Sequence, residues 1–392
     1  MEISTTWKSR LTALAGAALL VLAFGCAKER GALQPLGQSS FAEYRSETCE
    51  WIAQNRHFQS HDHAQELEWN APQEYRPAGK YTTGILLVHG LGDSPWTFVD
   101  VGKVLAENGI LARTVLLPGF GTKPADLIDV RVEDWRQVVA EQAAIMSAEV
   151  ESFYLGGFST GANLAIEYAD RHPEVKGLLL FSPAIYLNFK MDFLSPVIAR
   201  VAEWPFTPPP GMPTQSPMRY YWLPTNAFAQ FYYTRASAAD LLNKRPFKKP
   251  ALLVLSENDS VLDTTRIMNE FDTLFPHPAS RVLWYGDEAK TLPLSHRVQA
   301  KPAHLPLWRI SNFSHMGIMF SPHNPQYGFH GTERIYFNGI TGSPRVPDSD
   351  LWFSAWGFHE KGRTHARLTF NPHFDWQNKL MLSILTQAEQ SP

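Results

Sequence analysis

Cysteine is almost missing from this chain: there are two in 392 residues, Cys26 and Cys49. A disulfide-stapled scaffold is therefore excluded, and the fold must be held by its apolar core. An excess of one charge is missing as well. Thirty-five Lys and Arg stand against 38 Asp and Glu, a net charge of −3. No basic stretch interleaved with aromatics is present, which argues against a nucleic-acid partner. There is no internal repeat and no low-complexity tract. The apolar run at 11–24 is too short for a stable membrane span. His61-Asp62-His63 alternates two imidazoles, but no further ligands follow at a recognisable spacing, so no metal site is expected.

What is present begins at the N-terminus. Lys8 and Arg10 precede the apolar run, the layout of a charged n-region and an h-region in a signal peptide. The run ends in Leu22-Ala23-Phe24-Gly25-Cys26. A small residue directly before a cysteine, after an apolar segment, resembles the lipobox of bacterial lipoproteins. The resemblance implies a signal segment over 1–26, a lipid on Cys26 and export to the envelope. Ala27, where an Asp would retain the protein, implies the outer membrane. With Cys26 lipidated, Cys49 has no intrachain partner. Residues 27–40 carry Gly, Pro, Gln and Ser and read as a tether between anchor and domain.

The most informative run is Phe153-Tyr154-Leu155-Gly156-Gly157-Phe158-Ser159-Thr160-Gly161-Ala162. It is a short apolar strand that meets Gly-x-Ser-x-Gly and reads on as a helix, with Ala162, Leu164, Ala165 and Tyr168 at helical spacing. This is the sequence form of a strained strand–helix turn that lifts a serine hydroxyl clear of a sheet edge. Side chains at Gly157 and Gly161 would crowd that crossing. Ser159 is the candidate nucleophile.

Short continuous apolar runs recur at 84–88, 111–117, 177–181 and 250–255, as expected of strands buried on both faces. Helical patterns at 95–108, 132–150 and 160–171 alternate with them. The alternation implies βαβ units and a mostly parallel sheet flanked by helices. Two stretches break it. Residues 185–248 are too long for a loop and rich in aromatics and proline, and they are expected to form a cap over the carboxyl edge of the sheet. Residues 321–374 carry many Trp, Phe and His and receive no assigned role. The twelve Trp fit either an aromatic-lined cavity or ordinary core packing. The core is thus expected over 41–184 and 249–392, closed by a helix near 376–388.

A serine hydroxyl needs a general base, and the base needs an orienting carboxylate. The run at 252–255 ends near Ser256, and the turn after it carries Glu257, Asp259 and Asp263. Asp259 is the first choice, because Asp263 is better read as the N-cap of a helix over 264–274. A strand-like run at 305–310 is followed by His315, the chosen base. His296, after a strand-like run at 281–285, is its rival. For an oxyanion, the backbone N–H of Thr160 and that of Leu91, in His89-Gly90-Leu91-Gly92, are the candidate donors. His89 reads as a structural brace.

Four blocks together resemble the α/β-hydrolase superfamily: His89-Gly90-Leu91-Gly92, Leu117-Pro118-Gly119-Phe120-Gly121-Thr122, Gly157-Phe158-Ser159-Thr160-Gly161 and Glu257-Asn258-Asp259. The second block is similar to that of bacterial carboxylesterases and of monoacylglycerol lipase or lysophospholipase-like enzymes, with Phe120 where the family usually has His. The resemblance covers about residues 80–320. It implies an α/β-hydrolase fold, a Ser159–His315–Asp259 triad, no metal or organic cofactor, and a small-molecule or lipid ester as substrate. The same triad on a thioester, an amide or a C–C bond is the alternative, as is a non-catalytic envelope scaffold.

Overall fold

The computed structural model describes residues 31–208, 211–291, 296–339 and 345–387. Cys26 and the proposed signal segment lie outside them. Helices α1 (Phe41–Asn55) and α2 (His63–Asn70) come first, followed by strands β1 (Glu74–Tyr75) and β2 (Thr83–Val88). Then come α3 (Val99–Glu107), β3 (Leu111–Val115), α4 (Val132–Glu149), β4 (Ser152–Phe158), α5 (Thr160–Arg171) and β5 (Val175–Phe181). The chain continues with a four-residue helix α6 (Ser195–Ile198), α7 (Thr225–Lys244), β6 (Ala251–Ser256), α8 (Thr264–Leu274), β7 (Arg281–Tyr285) and β8 (Val298–Lys301). It ends with β9 (Leu351–Ser354), β10 (Thr364–Arg367) and α9 (Phe374–Gln387).

Eight strands form one sheet in the order β1-β3-β2-β4-β5-β6-β7-β8. Only β1 runs antiparallel to its neighbour. Strand alternation divides the apolar residues between two faces. Leu86, Val88, Phe153, Leu155, Leu178 and Leu180 belong to one buried cluster. Ile85, Leu87, Tyr154, Leu179 and Phe181 belong to the other. The first face is covered by side chains of α1, α4, α5, α7 and α8, such as Tyr44, Trp135, Ala165, Phe231 and Phe271. The second is covered by α3, α9 and much of 313–370, through Val101, Met381, Leu385 and Phe353 among others. Burial on both faces explains why the strands read as unbroken apolar runs. No helix among the described residues is long and apolar enough to cross a membrane.

Three sequence expectations change. The tether over 27–40 does not hang free at its C-terminal end. Leu33 and Leu36 pack on the core, and Gln34 Nε2 donates to Leu116 O at 2.7 Å. The run 305–310 is not a strand. Pro306 opens a 3₁₀ turn, Pro306–Trp308, that leaves Leu307 almost fully exposed while Leu305 pairs back on Ile310. A proline at the first position suits such a turn, and its missing N–H is no loss there. The last strand of the main sheet is β8. Finally, the pattern at 95–108 splits into a 3₁₀ turn, Pro95–Phe98, and α3.

An N-terminal node ties the periphery together. Arg56 and Glu66, both almost fully buried, form an ion pair at 2.7 Å. Arg56 also donates to Gly121 O and Pro217 O, each at 2.8 Å. Glu66 accepts from the backbone of Gln59 and Ser60 and from the Ser60 hydroxyl. The charges are thus satisfied on every side, which a buried pair requires.

Candidate active site

Strand β4 lies between β2 and β5, with Gly157 opposite Val88 and Leu180. Its last residue leads straight into Ser159, whose backbone sits at φ 55° and ψ −111°. A non-glycine residue held there costs on the order of 1–3 kcal/mol. The crossing has no room to relax. A Cβ on Gly161 would lie 1.9 Å from Val88 O, and one on Gly157 would lie 2.2 Å from the Gly161 carbonyl carbon. Ser159 N donates to Phe181 O at 2.9 Å, anchoring the turn to β5. The serine ends up 6% exposed, lining a cavity of about 710 Å3.

His315 lines the same cavity. Its Nδ1 lies 2.6 Å from Asp259 Oδ2. The Asp259 side chain is fully buried. Its other oxygen accepts from Val261 N at 2.8 Å and Leu262 N at 3.0 Å, so the carboxylate is locked from both sides. With Nδ1 turned to Asp259, Nε2 is left as the ring's free base. The His315 loop is held by strand-end serines. Ser182 Oγ donates to His315 O at 3.0 Å, and Ser256 Oγ donates to Phe313 O at 2.8 Å. The Phe158 and His315 rings lie 5.0 Å apart.

The rivals are occupied elsewhere. Asp263 accepts from Arg266 N as the N-cap of α8 and pairs with Lys190. Glu257 pairs with Lys290 and accepts from Asp287 N at 2.6 Å. His296 is exposed and is not among the residues lining the cavity. His63 stacks on Phe58, and no group of three or more His, Cys, Asp or Glu among the described residues could hold a metal ion.

Thr160 is the first residue of α5, so its N–H has no acceptor within the helix and lies at the positive end of the helix dipole. Leu91 lines the cavity, and its N–H donates to no backbone carbonyl among the described residues. His89 is fully buried behind it. Its Nδ1 lies 2.9 Å from Gly90 O, and its Nε2 accepts from Leu117 N at 3.0 Å. That pattern requires the neutral ring with the proton on Nδ1. Burial holds the ring neutral, pushing its pKa down to about 4. The imidazole therefore braces the turn carrying Leu91 against the loop at 117–122.

The roof comes from both irregular stretches. Tyr220 N donates to Gly92 O at 2.7 Å, and Tyr220 Oη accepts from Thr122 N at 2.8 Å. The first stretch is thereby latched to both loops beneath it. The second supplies Arg334, Ile335, Tyr336, Phe337, Trp356 and Arg367 to the cavity. Neither this wall nor the supporting serines were assigned from sequence. Ser182 did carry a signal, since Ser182-Pro183 directly follows an apolar strand, but the arginines carried none.

The sheet order, the strained serine after β4 and the acid and histidine on later loops together decide the architecture. Residues 80–271, just under half of the chain, match the family model described as serine aminopeptidase, S33. The chain has the α/β-hydrolase fold. Among curated proteins it is similar to a thermostable monoacylglycerol lipase of Bacillus sp. (strain H-257), 26% identical over 102 residues, or 26% of this chain. That match spans 41% of the lipase's own length. Among solved structures sharing features of this hydrolase fold, a soluble variant of monoglyceride lipase from Saccharomyces cerevisiae is 17% identical, covering 55% of this chain and 81% of that one with a TM-score of 0.43. Est1E from Butyrivibrio proteoclasticus is 19% identical, covering 55% and 83% with a TM-score of 0.38.

Proposed function

We propose that the protein is a serine hydrolase that cleaves carboxylic esters with an apolar acyl group. The observation that carries this reading is that a strained Ser159 and a His315 whose Nδ1 is 2.6 Å from the buried Asp259 line one cavity. In the proposed reaction His315 Nε2 takes the Ser159 proton as Oγ attacks the ester carbonyl. The oxyanion is met by the N–H groups of Leu91 and Thr160. His315 then returns the proton to the leaving alcohol, and an acyl-serine remains. Water, deprotonated by the same ring, releases the acid. Asp259 holds the tautomer and stabilises the imidazolium. Residues 185–248 act as the cap, with Leu223, Phe228 and Phe231 forming an apolar wall for the acyl chain. The similarity to a monoacylglycerol lipase supports a lipid ester. A lipid on Cys26 would place the enzyme at the outer membrane of a bacterial envelope.

The test is hydrolysis of p-nitrophenyl esters from acetyl to palmitoyl, beside the matching p-nitroanilides, by the full chain and by Ser159→Ala. Ester turnover that disappears in the variant supports the reading, and the preferred length identifies the acyl group. Anilide turnover in place of ester turnover would favour an amide substrate, the reaction named by the family model. Labelling of the wild-type protein but not of Ser159→Ala by a fluorophosphonate separates an enzyme from a scaffold. Incorporation of labelled palmitate, absent in Cys26→Ala, tests the anchor.

A further inference from the structure

The cavity above Ser159 is lined by two chemically different sets of side chains. One is apolar, built by Met212, Leu223, Phe228 and Phe231. The other carries four guanidinium groups, Arg219, Arg334, Arg345 and Arg367, and one carboxylate, Asp93. A pocket that served only a neutral ester would have no reason to gather that charge, because each guanidinium withdrawn from water costs several kcal/mol unless it is paired.

The pairing inside the protein is incomplete. Arg219 meets Asp93 at 3.2 Å, and Arg334 meets the exposed Asp348 at 3.4 Å. Arg345 and Arg367 have no carboxylate partner among the described residues. Arg345 lies over the Tyr336 ring at 5.6 Å, and Arg367 donates to Phe337 O at 3.1 Å. The Nε–H groups of Arg219, Arg334 and Arg367 are buried without an acceptor. Two charges without a carboxylate, the exposed Arg345 and the buried Arg367, and three buried donors thus line the cavity. Burial, with Arg219 nearby, lowers the Arg367 pKa to about 10, so the group still carries its charge at neutral pH. Burial pushes Asp93 up, with Arg219 beside it opposing the shift. One carboxylate therefore cannot neutralise the wall.

Planar guanidinium forks match the oxygens of phosphate and carboxylate, and such charge-assisted bonds are strong where water is excluded. The apolar wall accounts for the acyl chain, which leaves the arginine wall for the alcohol half of the ester. We propose that this wall is an oxyanion subsite, and that the preferred substrate is an ester whose alcohol half carries a phosphate or carboxylate group. The assignment rests on the ester-hydrolase reading above and narrows its substrate class.

Three oleoyl esters test it: 1-oleoylglycerol 3-phosphate, O-oleoyl lactate and neutral 1-oleoylglycerol. The full-length enzyme is expected to show kcat/KM about tenfold or more higher for at least one anionic ester than for the neutral one, carried mainly by KM and weakened by salt. Whichever anionic ester leads identifies the group. The anionic-to-neutral ratio should fall toward one in Arg345→Gln and in Arg367→Gln. Arg345 is exposed, so its variant keeps the test sound if the Arg367 variant misfolds. Calorimetric binding of the same three compounds to Ser159→Ala gives a readout independent of turnover, with the same order of affinities expected. Equal affinities there, or a ratio that neither arginine variant moves, would overturn the subsite. Absence of any ester turnover beside selective binding would overturn the ester reading and leave the subsite standing.

Discussion

Residues 185–248 and 321–374 both roof the cavity, yet the first, ahead of α7, leaves many apolar side chains in solvent while the second buries most of its own. The first leaves Phe189, Met191, Phe193, Val201 and Phe206 more than half exposed. The second buries Tyr327, Ile335, Leu351, Phe353 and Phe370. The first is fastened through α7, whose Phe231 and Leu242 lie in the core, and before α7 through Tyr220 to the loops below and through Arg56 to Pro217. The second is built into the molecule. Ser311 N donates to Phe353 O, Leu368 N to Ser354 O and Asn371 N to Phe320 O. The part of the first roof ahead of α7 is a flap on latches, and the second roof is a wall. A flap of that kind can expose apolar surface without loss of core, whereas the wall holds charged groups in place because its backbone is pinned.

The floor beneath both sets the largest expected effect. Gly161→Ala puts a methyl group into the Val88 carbonyl, which cannot move without disturbing β2, so ester turnover should fall by about a thousandfold or the protein should fail to fold. Gly79→Ala, with nothing within 4 Å of the new Cβ, is the control for both turnover and melting. In the wall, Phe353→Ala should cost about 3–5 kcal/mol in denaturant unfolding, since it empties a site packed by the Phe370 and Phe329 rings.

The brace at His89 sharpens the view of the floor through pH. Its folded pKa lies below the ordinary value, so the unfolded chain binds the extra proton first as pH falls. The His89 contribution to stability should therefore drop between about pH 6.5 and pH 4 and level off below, a loss on the order of 3 kcal/mol. His89→Gln should flatten the dependence when denaturant midpoints are compared across this range.

Smaller effects belong to the flap. Tyr220→Phe leaves Thr122 N–H without its buried acceptor and should cost about 1–3 kcal/mol, with a parallel loss of turnover as the flap loosens. Phe206→Ala should change unfolding by less than about 0.5 kcal/mol, because its side chain is already in solvent. A flap variant as costly as Phe353→Ala would erase the distinction between the two roofs.

The same contrast explains what could be read from the amino-acid order. Strands β2, β4, β5 and β6 were legible because burial on both faces demands an unbroken apolar run. The elbow was legible because close backbone packing leaves few residues but glycine at 157 and 161. Asp259 was placed by its position after such a strand, Asp263 by its capping position, and His315 by its position after the run at 305–310, which is a turn and not a strand. The turn at 305–310 was misread because its apolar spacing imitates a strand, and only the pairing of Leu305 with Ile310 closes it back on itself. The wall was illegible for a deeper reason. Its parallel pair, β9 with β10, is set by register with distant loops rather than by local period. Arg345 and Arg367 acquire meaning only once those loops meet over Ser159.

Strand β4 also bears on how the molecule is made. Tyr154, in that strand, donates its hydroxyl to Leu385 O, 231 positions later. The strand that presents the nucleophile therefore lacks part of its cover until α9 has been synthesised. At ordinary rates of translation that interval is roughly ten to fifty seconds. Throughout it, the part of the Ile85, Leu87 and Phe181 face that α9 covers stays bare, so a pause in the last stretch of synthesis lengthens the exposure of apolar surface beside Tyr154.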